Sequence, residues 1–131
     1  MKLITQEVRR KLPPLRAQEH SGRDAVAYVK FFTPDSSWTW YALEGSAMVP
    51  AEGGEVTEVP LSESQPAKEQ DVLFFGLVDG LEKELGYFRL SELREARGPM
   101  GLPIERDRGW GPKTLNEIAP ELFRRKERRR S

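Results

Sequence analysis

The apolar residues of this chain fall into short runs rich in β-branched and aromatic side chains, each bounded by turn-forming residues. That arrangement constrains the fold more than any other feature. Val72-Leu73-Phe74-Phe75-Gly76-Leu77-Val78 is too short and too β-rich for a typical helix, Asp79-Gly80 supplies a sharp turn, and 84–90 reads as the returning strand. Upstream, 25–32 and 38–43 have the same character, and Thr33-Pro34-Asp35-Ser36-Ser37 separates them with residues that fix φ or bond to nearby backbone. Two hairpins are therefore expected.

Helices are expected around them. Thr5 can cap a short N-terminal helix in which Ile4, Val8 and Leu12 recur every four residues, and Pro13-Pro14 ends it by removing two amide donors. Ser91 is the expected N-cap of a helix over 92–97, closed by Gly98-Pro99. A final helix begins near Lys113 or Thr114, carries Leu115, Ile118, Leu122 and Phe123 as its stripe, and is interrupted or restarted at Pro120. Helices gathered at the ends, without βαβ alternation, predict an α+β single domain over 1–119: a twisted, mainly antiparallel sheet of about four strands with short flanking helices. The Pro-, Gly- and Glu-rich stretch 45–70 is expected to be a long flexible acidic loop, with only 56–61 hinting at a short extended piece, and 120–131 a basic C-terminal tail or helix.

With 131 residues, the chain suits one domain of ordinary core size. It has no Cys, which removes disulfides, thiolate metal sites and thiol nucleophiles, and it has no apolar run approaching the ~20 residues of a membrane span. The expectation is a cytoplasmic protein that does not enter membranes. Lys and Arg together number 21, matching 21 Asp and Glu, but the charge is segregated. Ten acids stand between Ala42 and Glu84 against Lys68 and Lys83, whereas Arg124, Arg125, Lys126, Arg128, Arg129 and Arg130 crowd the end. Such a tail can neutralise phosphates in a salt-dependent way; alternatively its arginines meet the negative end of a helix dipole.

Trp38 and Trp40 share one strand face because side chains repeat with period two. If that face is open, with Lys30 on the neighbouring strand, the indoles can stack nucleobases; the competing and favoured reading is that they cover the sheet as core. Glu84, Glu105 and Asp107 come nearest to a metal-dependent nuclease constellation, since Mg²⁺ takes oxygen ligands, although no spacing forces them together. A structural bridge from Arg106 to Glu84 or Glu92 is the favoured alternative. His20, the sole imidazole, sits in an expected surface turn, and the chain shows no P-loop, dinucleotide fingerprint, zinc pattern or nucleophile elbow. No cofactor is implied.

Trp38-Thr39-Trp40-Tyr41, Phe75-Gly76-Leu77-Val78-Asp79-Gly80, Glu84-Leu85-Gly86-Tyr87-Phe88, Leu90-Ser91-Glu92-Leu93 and Gly101-Leu102-Pro103-Ile104-Glu105-Arg106-Asp107 occur in that order. Together they resemble a small bacterial domain family of unknown function, numbered 2958, from Leu3 to about Glu117. The resemblance implies a protein borne by bacteria, plasmids and phages, sometimes attached to DNA-processing proteins, and it implies no catalytic residues. After Tyr41 the family tends towards an acid, an aromatic and another acid, whereas here Glu44 is followed by Gly45-Ser46-Ala47. The expected function is a non-enzymatic binding module of a mobile element, contacting nucleic acid or a DNA-processing protein. The alternative is a small metal-dependent nuclease.

Overall fold

The computed structural model describes residues 1–124. Its centre is a six-stranded sheet in which β6 (Lys83–Arg89), β5 (Asp71–Asp79), β3 (Thr39–Pro50), β2 (Val29–Phe32) and β7 (Glu105–Arg106) lie side by side, with β4 (Val56–Pro60) against the far half of β3. All its pairings are antiparallel. The α+β reading with an antiparallel sheet holds, but the expectation of about four strands is too low. A two-stranded sheet joins β1 (Val26–Ala27) to β8 (Lys113–Thr114).

The extra strand comes from the stretch expected to be a long loop. β3 continues without interruption through Gly45-Ser46-Ala47, and 56–60 returns beside it as β4. These residues are small because packing demands it: a Cβ on Gly45 would stand 2.7 Å from the Leu12 side chain and 3.0 Å from Phe74. A composition that reads as loop is here a tightly packed strand. The predicted 25–32 strand also divides, since 26–27 pairs with β8 while 29–32 pairs with β3.

Both faces of the sheet carry a core, although Leu85 and Tyr87 of β6 remain exposed on the second. On the first, helices α1 (Gln6–Lys11) and α2 (Leu90–Glu95) enclose Phe31, Phe74 and Phe88, whose rings pack at 5.6 and 5.2 Å between centroids. On the second, α3 (Leu115–Ile118) and the helical residues 121–124 bring Leu115, Leu122 and Phe123 onto Tyr41, Leu43 and Leu77. The expected caps are largely present: the Thr5 hydroxyl accepts from the Val8 amide, and Thr114 and Glu117 cap α3 reciprocally. Ser91, expected as an N-cap, lies inside α2, which begins one residue earlier at Leu90. Its amide and hydroxyl both bond to the Asp71 carboxylate. Among the described residues, no helix is long and apolar enough to cross a membrane.

A bulge in β3 divides the labour between the two faces. Ala42 pairs with Gly76 and Glu44 with Phe75, leaving Leu43 as the extra residue. Before the bulge Trp40 and Ala42 turn to the first core; after it Ala47 and Val49 do so. Glu44 is thereby aimed at the segment after α1, where its buried carboxylate accepts from the amides of Arg16 at 2.8 Å and Gln18 at 2.7 Å. Gln18 in turn bonds to Val26 and to the bulged Leu43 carbonyl. This acid organises the chain and is buried in doing so.

Candidate nucleic-acid interface

Register decides which of the predicted site residues can act together. Phe31 pairs with Trp40 and Lys30 with Tyr41, and directly paired residues of antiparallel strands share a face. Lys30 therefore leaves the sheet on the side opposite Trp38 and Trp40, and the expected combination of the three is not formed. The two indoles pack on each other at 5.9 Å, with Trp40 against the first core and Trp38 39 % exposed over Gly80. One ring is thus core-associated and the other covers a hairpin turn.

The aromatic partner of Lys30 is Trp110, which the sequence places in a turn. Its indole is held by a 3.1 Å hydrogen bond from Nε1 to the Ala27 carbonyl and packs on Tyr41 at 5.4 Å. Lys30 Nζ lies 5.6 Å from the Trp110 ring and 6.0 Å from Tyr41, while Lys113 Nζ lies 5.0 Å from Trp110. Both ammonium groups are in range for attraction to the ring's negative face. Burial pushes the Tyr41 hydroxyl above its ordinary pKa, so that ring remains a neutral wall. The signal available in the sequence was Gly109-Trp110-Gly111-Pro112, which reads only as a turn; the contact exists because that turn folds across β2.

Two clefts border this cluster. One, of about 630 Å³, is lined by Met1, Lys30, Phe32 and residues 105–109. The other lies between α1 and Trp110 and shares Arg106, Asp107 and Arg108 with the first. Asp107 is engaged within the site, accepting from the Gly109 amide at 2.9 Å and standing 3.7 Å from Lys30 Nζ. Leu122 and Phe123 pack on the same core as Tyr41 and Trp110, and the exposed Arg124 that follows them lies within electrostatic reach of Glu121, the partner of Lys83 on β6. Arg125, Lys126, Arg128, Arg129 and Arg130 lie outside the described residues.

The carboxylates of the nuclease alternative are not brought together. Glu84 is on β6 and Glu105 on β7, the two opposite edges of the sheet with β5, β3 and β2 between them, and Asp107 follows β7 directly. At ~4.8 Å per strand they cannot share one ion. The same separation excludes the suggested bridge from Arg106 to Glu84. Among the described residues, no group of three potential ligands is placed to hold a metal.

Residues 59–119 match the family model described as "Protein of unknown function (DUF2958)". Over this stretch the chain matches DUF2958. The matched segment includes β5, β6, α2 and the Arg106 to Trp110 part of the candidate interface, whereas Trp38-Thr39-Trp40-Tyr41 lies before it. Two glycines of the matched segment have visible structural work. Gly76 permits a close approach of β5 to the Tyr41 backbone, and Gly80 supports the Trp38 ring. No curated protein and no solved structure matches the chain.

Proposed function

We propose that this protein is a non-enzymatic binding module of a bacterial mobile element and that its partner is nucleic acid. The observation that carries the reading is the cluster of Lys30, Tyr41, Trp110 and Lys113, two cations set against a fixed aromatic wall beside open clefts. Phosphates are drawn by the cations, and an exposed base has aromatic surface against which to stack, a combination suited to a single strand. The mobile-element setting follows from the family resemblance. The nuclease reading loses its basis because its acids occupy opposite sheet edges.

The test is fluorescence anisotropy of labelled single-stranded DNA, duplex DNA and RNA across a salt series. Lys30→Gln with Lys113→Gln is expected to weaken single-strand binding and to reduce the log–log salt slope by about 0.7 for each phosphate left without its cation. Trp38→Ala is expected to leave affinity unchanged, since that ring is on the other face. Absence of binding at low salt, or binding indifferent to the paired lysine change, would overturn the proposal and favour a protein partner.

A further inference from the structure

We infer that Arg106 and Arg108 form a phosphate subsite on the sheet edge beside the Trp110 cluster. This rests on the nucleic-acid reading and specifies how a strand is held. Register places Arg106 opposite Phe31 and therefore on the α1 side, while Glu105, opposite Phe32, turns to the Lys30 side. This short edge strand thus carries a cation on the α1 side and an acid on the other.

Arg106 keeps a donor that the protein does not satisfy, although Glu7 lies within its electrostatic reach. Its Nε is buried and has no hydrogen-bond partner among the described residues. A buried donor left in that state costs free energy until a ligand satisfies it. Neither Arg106 nor Arg108 has a carboxylate at ion-pair distance among the described residues. The acids around them are otherwise disposed: Glu7 pairs with Lys11 at 2.6 Å, Asp107 with Gly109 and Lys30, and Glu105 lines the larger cleft. On the α1 side, a small cleft is lined by Thr5, Lys11, Arg106 and Arg108 together with the carboxylates of Glu7 and Asp107. A guanidinium's planar fork matches phosphate oxygens in pairs, which a lysine cannot do. A strand with a base against Trp110 would place its backbone phosphate at this edge.

The subsite is tested on the full chain by following arginine Nε–H and backbone amide NMR signals during titration with sodium pyrophosphate, against sodium chloride of matched ionic strength. Binding is expected to move the Arg106 Nε–H signal and the amides of 105–109. R108Q, at an exposed position, and R106Q are each expected to lower pyrophosphate affinity roughly tenfold or more, the effect of losing a charge-assisted hydrogen bond. R106K, which retains charge without the fork, should recover only part of the loss. A thermal melt of each variant separates lost binding from lost folding, and R108Q keeps the test open if R106Q does not fold. If pyrophosphate leaves these signals unmoved while oligonucleotide binding still depends on Lys30 and Lys113, the subsite is overturned and the nucleic-acid reading stands. If pyrophosphate binds there but oligonucleotides do not bind, the subsite stands and its phosphate comes from a small molecule. If neither binds, both fail.

Discussion

Gly76 and Gly86 are register partners on β5 and β6, yet their surroundings differ completely. A Cβ on Gly76 would lie 1.8 Å from the Tyr41 carbonyl oxygen, whereas one on Gly86 would meet nothing within 4 Å. Gly76→Ala should therefore destabilise the fold by about 3 kcal/mol, the upper range for overpacking, because the obstacle is backbone and cannot rotate away. Gly86→Ala should change stability by less than about 1 kcal/mol. Urea unfolding of the two variants checks both, and equal losses would refute the argument. Nothing local in Phe75-Gly76-Leu77 or Leu85-Gly86-Tyr87 distinguishes these glycines, since the deciding atom belongs to a third strand. Glu44 illustrates the same limit: in sequence it begins an acidic stretch, but the bulge buries it against the amides of Arg16 and Gln18.

Among the elements, α1 and the β5–β6 hairpin were legible because capping, apolar spacing and a two-residue turn signal are local. The attachment of α1 was not. Arg9 is joined to Glu69 by two hydrogen bonds of 2.7 Å, with both side chains under 8 % exposed, pinning the helix to a segment sixty positions away. The Arg9 hydrogen bond is the main reason that Glu69 sits below the ordinary carboxylate pKa despite its burial. A depressed folded pKa contributes stability that is present above the unfolded value, ~4.3, and is lost as pH falls through the folded value. Glu69→Gln should cost about 3 kcal/mol at pH 7, because it leaves a buried guanidinium without its counter-charge. The gap between the variant and the parent should narrow as the medium is acidified to about pH 3, below the unfolded carboxylate value. Urea midpoints at the two pH values measure it; a gap independent of pH would show that the pair does not contribute through charge.

At the scale of the whole molecule, a net charge of zero conceals a polar arrangement that binding should reveal. Removing 125–131 takes away five bases and one acid, so the net charge passes from +0 to −4. Single-strand affinity and its salt slope should both fall, while the Lys30 and Lys113 dependence persists, because the Trp110 cluster lies wholly within the described residues. Anisotropy across salt concentrations tests this; disappearance of the lysine dependence along with the tail would place the binding in the tail alone. The sequence by itself determined the α+β class, the two hairpins, the helix boundaries at Thr5, Pro13 and Pro120, and the segregation of charge, since these follow from local backbone chemistry and composition. Only the tertiary structure decided that 45–50 is strand and that 56–60 pairs with it, that Lys30 meets Trp110 instead of Trp38 and Trp40, and that Glu84 stands across the sheet from Glu105. Those outcomes depend on register, on a single bulge and on the order of strands, which set the faces and distances between residues remote in the chain.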